Sequence, residues 1–158
     1  MQNKVSMHTK GFTLIELMVV LLIIGITLHF ASQSWGDFGE ARAVITAAEQ
    51  FKTQVTGLQQ QAVLAGLPLG LSVSASGYQV VSFQPPKDWI VNKGFQTPGL
   101  PARVILHTTI KKSLPAVLID AQGNVKAFKI DFGTISRPHI ACVVGSDNSE
   151  ISVRVDCK

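Results

Sequence analysis

Cysteine and charge are both scarce in this chain of 158 residues. Two cysteines, Cys142 and Cys157, are too few for a zinc or iron–sulfur site and are not spaced as CxxC, so they leave one possible disulfide. Charged residues make up 15% and hydrophobic ones 46%, too apolar for a disordered chain and high for a purely soluble one. No GxSxG elbow, P-loop or dinucleotide-binding glycine pattern occurs, and GLPLG at 66–70 has neither glycine spacing. Of the four histidines, His8 and His29 fall at or before the apolar N-terminal run, and His107 and His139 have no nucleophile signature beside them. Asp147, Asn148 and Glu150 sit in a turn without the twelve-residue calcium loop pattern. Hydrolytic, nucleotide-cofactor and metal chemistry therefore have no residues to stand on. The expectation is a non-enzyme without cofactor or metal.

What the chain has in excess is one apolar run. Residues 12–31 read FTLIELMVVLLIIGITLHFA, and at about 1.5 Å per residue a helix of that length spans the roughly 30 Å hydrocarbon core of a bilayer. An ordinary signal peptide has a shorter apolar stretch and a small-residue cleavage site after it, and none is evident here. Lys4 and Lys10 precede the run with no acid among residues 1–11, which keeps the N-terminus cytoplasmic and sends residues 32–158 across. Glu16 conflicts with a bare lipid anchor, because an acid at mid-bilayer depth costs roughly 2.5 to 3.5 kcal/mol. Either it lies near enough to the helix end to reach the interface, or it pairs with a cation supplied by another chain or by processing.

Lys10 to Leu17 spell K-G-F-T-L-I-E-L. This resembles the class III signal of type IV prepilins and type II secretion pseudopilins. The resemblance implies cleavage between Gly11 and Phe12 by prepilin peptidase and methylation of the new Phe12 amine, with the apolar run kept on the mature chain. Glu16 becomes the fifth mature residue, whose carboxylate in that family neutralises an N-terminal amine. Many members carry proline about 22 residues into the mature chain where this sequence has Gln33, so Gly25, Gly36 and Gly39 remain as the residues able to loosen the helix.

Past the run, Phe38, Ala41, Ile45, Ala48, Phe51, Val55, Leu58, Ala62 and Ala65 recur in steps of three and four, a helical stripe expected to pack on the chain's own sheet. Gly66 and Pro68 end it. The period then changes to two: 69–75 and 78–83 read as a hairpin about Ser76 and Gly77, followed by strands at 102–110, 116–120, 125–132, 140–144 and 150–156, about seven in all. Residues 84–101, with four prolines, read as the one long loop. The organisation is a leader at 1–11, a transmembrane helix at 12–31, its amphipathic continuation at 32–66 and a β domain at 67–158. The fold class is α+β, a long N-terminal helix packed on a mainly antiparallel sheet or sandwich domain.

The helix end QQ-A-x-x-x-G at 60–66, Trp89, LPARVIL at 100–106 and D-x-x-G-x-x-x-x-F-x-I at 120–130 resemble the GspH/FimT group of minor pseudopilins and minor pilins, within it most of all pseudopilin H. That implies a pilin-like fold and an assembly role in the type II secretion pseudopilus, linking tip complex to shaft. The implied partners are prepilin peptidase, other minor pseudopilins, the major pseudopilin and the inner membrane, with the C-terminal domain periplasmic. Cys142 and Cys157, on strands joined by GSDNS, are expected to face each other across a hairpin, and in that oxidising compartment to be bonded rather than free, with a stabilising role. The alternative is a type IV minor pilin in pilus assembly or DNA uptake, whose DNA-binding members carry a G-R-x-R signature. At the comparable place Ile151, Ser152, Val153 and Arg154 supply one arginine. Lys111 and Lys112 read as a solvated turn. Removing the leader also leaves 12 basic against 10 acidic residues, a net of +2, so nucleic acid is not an expected partner.

Overall fold

The computed structural model describes residues 13–86, 88–108 and 115–157, the side chains of 31–38 excepted. The chain divides into two units after Phe38, and helix α1, Leu14–Ala65, contributes to both. The helix opens on a cap: the Thr13 hydroxyl accepts the Glu16 backbone N–H at 3.3 Å, the first half of a T-x-x-E capping box. Gly25, Gly36 and Gly39 do not interrupt it, since glycine weakens a helix without removing a hydrogen bond. At its far end Gly66 adopts a left-handed φ of 63°, while Leu67 N–H donates to Ala62 O and Gly66 N–H to Val63 O, both at 3.3 Å. That is a Schellman stop, in which glycine avoids the Cβ penalty.

Within the second unit the helix buries Val44, Ala47, Ala48, Phe51, Val55, Leu58 and Ala62. The expected stripe is right in direction and needs small corrections. Ala41 and Ile45 are only half-buried, Val44 and Ala47 carry that part of the contact, and Ala65 in the last turn is exposed. Phe38 lies outside the described side chains. The stripe packs on its own unit's sheets: Phe51 meets Tyr78 edge-on at 4.9 Å and Phe132 at 5.5 Å, so one ring joins a residue of each sheet.

Eight strands form two four-stranded antiparallel sheets among the described residues. The first is β3(Asp88–Val91), β2(Gly77–Gln84), β1(Leu69–Ser74) and β5(Val117–Ile119), in that order. The second is β4(Ile105–His107), β6(Phe128–Gly133), β7(Ala141–Gly145) and β8(Ile151–Val155). Both share one core with the helix, including Leu71, Val80 and Val117 from the first sheet and Leu106, Ile130 and Val143 from the second. This is the α+β, helix-on-antiparallel-sheet architecture expected from the sequence.

Three local readings are corrected. The stretch 84–101 is not all loop, because DWIV forms the edge strand β3, which pairs with β2 and sets Trp89 against Phe83 at 5.5 Å. Flanking prolines mark where a strand must stop and say nothing against an aromatic, β-branched run between them. Strand β4 starts at Ile105 rather than 102, since residues 102–103 form a turn with Arg103 at φ 74°. Cys157 is not opposite Cys142 in the hairpin: Arg154 is. The chain bends at Asp156, φ 56°, and brings Cys157 back to the strand it has left.

Candidate functional site

Gly11 and Phe12, the expected processing junction, lie outside the described residues, as do Lys111 and Lys112. Description begins beside the junction, at Thr13. Glu16 sits in the first turn of α1, where the unsatisfied N–H groups give the helix its positive end and a carboxylate is favoured.

From Leu14 to Phe30 large apolar side chains are exposed on every face of the helix, among them Leu14 at 78%, Leu22 at 64% and Phe30 at 67%. A helix apolar all round needs lipid or other helices about it. Among the described residues no helix is long and apolar enough to cross a membrane. The described apolar segment is about 17 residues, roughly 26 Å at 1.5 Å each, while the run read from the sequence extends to Phe12 at one end and Ala31 at the other.

In the second unit Cys142 and Cys157 are joined by a disulfide with Cα atoms 5.9 Å apart, and both cysteines are buried. Asp131 lies across from Cys142 on β6. These three side chains converge, but with both sulfurs bonded to each other one carboxylate is left, which is no cation cage. Asp131 instead takes Lys129 Nζ at 3.4 Å and His139 Nδ1 at 3.3 Å, and His107 lies 6.2 Å from the His139 ring.

Arg154 is exposed on β8, and a groove of about 320 Å³ beside the disulfide places Lys129 near it. Lys129 is the second cation that the local sequence around Arg154 does not show, and its partner is Asp131. Asp147 reaches out of its turn, its carboxylate accepting the Ala127 N–H at 3.0 Å. Asp120 is spent within its own turn at the β5–β6 connection. The Asn124 side chain, then the backbone N–H groups of Asn124 and Gln122, donate to its carboxylate and hold its pKa below the usual range. Sequence reading also misses the pairing of Glu40 with Arg103 at 3.4 Å and Arg137 at 3.8 Å. Those residues are far apart in sequence and share no local pattern.

Comparison with known proteins places these features. Residues 6–32 match the prokaryotic N-terminal methylation motif. The chain is 35% identical over 79 residues to the type II secretion system protein H of Pseudomonas aeruginosa, covering 50% of this chain and 46% of that one. It is 34% identical over 83 residues to the protein of the same name from Escherichia coli, covering 51% and 48%. The chain thus spans about half the length of the curated relatives it matches. Its fold is similar to the minor pseudopilin EpsH of the Vibrio cholerae type 2 secretion system, with TM-score 0.59, 15% identity and coverage of 75% of this chain and 99% of that one. The solution structure of Escherichia coli GspH superposes at TM-score 0.60 with 16% identity, covering 75% and 89%. The prepilin resemblance, and within it the likeness to pseudopilin H, is borne out in motif, sequence and fold.

Proposed function

We propose that this chain is a minor pseudopilin: a structural, non-enzymatic subunit of the type II secretion pseudopilus that links tip complex to shaft during protein export across the outer membrane. The observation that carries the reading is the pairing of two parts in one chain. A helix exposing apolar side chains on all faces lies within a methylation motif, and it leads into a disulfide-closed β unit with a pseudopilin fold. The first part suits storage in the inner membrane and packing into a filament core. The second suits an oxidising periplasm.

In this reading prepilin peptidase cuts between Gly11 and Phe12 and the Phe12 amine is methylated. The Glu16 carboxylate neutralises an N-terminal amine on its own or a neighbouring subunit, removing the cost of burying it. The N-terminus faces the cytoplasm, residues 12–31 span the inner membrane, and other minor pseudopilins and the major pseudopilin are the neighbours. The alternative, a type IV minor pilin in pilus assembly or DNA uptake, gains nothing from the matched relatives, both named for type II secretion. Deleting the gene and measuring exported enzymes, twitching and transformation separates the two. Loss of export alone is expected. Loss of transformation or twitching with export intact overturns the secretion reading. Intact mass of the membrane-extracted protein should show a chain starting at N-methylated Phe12, and an uncut Met1 chain in cells with active peptidase overturns the prepilin assignment.

A further inference from the structure

Two cysteines alone are too few for a structural metal site, but the fold brings a third ligand to them from another strand. Asp131 lies opposite Cys142 across β6 and β7, and the bend at Asp156 returns Cys157 to the same corner. The ligand atoms of Asp131, Cys142 and Cys157 all fall within 4.8 Å of one another. A second observation is independent of that convergence. Asp131 Oδ1 is buried and no hydrogen bond reaches it, although Lys129 Nζ stands 3.4 Å away. Its other oxygen, Oδ2, faces His139 Nδ1 at 3.3 Å. A carboxylate is thus oriented by a histidine at one oxygen and short of a donor at the other, beside two sulfurs.

While the disulfide is closed this corner has one carboxylate to offer a cation. We propose that in the reduced chain it is a metal site, in which Cys142, Cys157 and Asp131 bind one thiophilic divalent ion of the zinc class and water completes the tetrahedron. A dithiol reductant opens the bond by exchange: the sulfurs gain two electrons and two protons, and the reductant leaves as its own disulfide. The ion then takes the place of the two thiol protons, which pass to solvent. Charge closes at the site, since two thiolates and a carboxylate are offset by the divalent ion and the Lys129 ammonium. Sulfurs held about 2.3 Å from one tetrahedral ion stand roughly 3.8 Å apart. Side-chain rotation alone provides that spacing across Cα atoms 5.9 Å apart. The groove of about 320 Å³ lined by both cysteines gives reductant and ion a way in. His139 is a positioning residue, fixing the carboxylate as outer partners of metal ligands do. The ion would hold the end of β8 to β7 in the state where the disulfide does not. The inference rests on the second unit alone and stands apart from the secretion reading.

The test uses the full chain in detergent micelles, reduced with a phosphine and freed of it without air, and reads Co²⁺ by absorbance with Zn²⁺ as competitor. The expected result is one Co²⁺ per chain, with thiolate-to-cobalt charge transfer and the visible bands of a four-coordinate ion. About two protons should leave per ion bound, and Zn²⁺ should displace the cobalt. The oxidised parent and the reduced Cys142→Ser variant should show no such spectrum. His139→Gln should keep the charge-transfer band and bind roughly 10- to 100-fold more weakly, and Asp131→Asn should lose at least as much. Zn²⁺ should also raise the melting temperature of the reduced parent and leave that of the oxidised parent unchanged. No charge-transfer band in the reduced parent, one ion shared between two chains, or undiminished affinity in Asp131→Asn overturns the proposal. So does a reduced parent that loses its native circular dichroism and does not regain it with Zn²⁺, since the corner exists only in the folded sheet.

Discussion

Thr13 and Glu16 stand at the two ends of one helix cap, so Glu16 has two duties that a single substitution confounds. As the third residue of the helix it donates its N–H to the capping Thr13 hydroxyl and places a carboxylate at the positive helix end; in the proposed processed chain it is also the partner of an amine. Glutamine keeps the hydrogen-bonding cap and removes the charge. Glu16→Gln should therefore fractionate with the membrane as the parent does yet crosslink poorly to neighbouring pseudopilins, Glu16→Ala should do the same, and Glu16→Asp, with a shorter arm, should be intermediate. Normal crosslinking and export in Glu16→Gln would reject the charge pairing and leave the cap. A second residue-scale test concerns Gly133, where an added Cβ would collide with backbone atoms of Arg137 and Pro138. Backbone cannot rotate away, so Gly133→Ala should cost at least the roughly 1 to 3 kcal/mol of core overpacking; a melting temperature equal to the parent's would show that the turn shifts freely. Glu16 is legible in the sequence because its meaning is local, fixed by seven neighbours in a row. Glu40 is not, because its partner Arg103 lies 63 residues away and only the folded sheet brings them together.

At the scale of elements, the period of the sequence reveals what faces the core and is weaker on where an element ends. The step of three and four residues identifies the helix from Ala41 to Ala62, and the alternation in LGLSVSA and YQVVSF identifies the first hairpin. Strand β3 escapes because four residues between proline pairs carry too little period to be seen, and its evidence is tertiary: the pairing with β2 and the Trp89–Phe83 contact. The disulfide was legible as a bond but not in its geometry. It closes a loop of 15 residues and ties the end of edge strand β8 to β7, from a position beyond the hairpin's own ladder. Closing a loop of that size is worth about 3 kcal/mol in the chain-entropy model. The double variant Cys142→Ser with Cys157→Ser should lose about that much by denaturant titration, and hydrogen exchange should rise first at 151–155. Unchanged protection of β8 would mean that its ladder with β7 suffices and the bond constrains only the unfolded chain.

For the whole molecule the open choice is between a secretion subunit and a DNA-uptake pilin, and the charge distribution decides it. A basic balance counts toward nucleic acid only where cations gather on one surface without acids among them. In the proposed processed chain the leader takes Lys4 and Lys10 away. On the described part of the second sheet's outer face, Lys129 and Arg154 share a groove in which Lys129 is already paired with Asp131. One arginine and one committed lysine neutralise few phosphates, and affinity rises with the number neutralised. The second unit can be tested apart from the helix's apolar part, since among the described side chains its core uses none before Ala41. The fragment from Ser32 should bind duplex DNA no more tightly than the nonspecific range of roughly 10⁻⁴ to 10⁻⁶ M at physiological salt, and Arg154→Ala should change this little. A mobility-shift titration of both proteins reads the answer. Submicromolar binding by the parent that collapses in Arg154→Ala would assign the groove to phosphate and make DNA uptake the better reading. Weak binding indifferent to Arg154 leaves these cations as solvated surface on an assembly subunit.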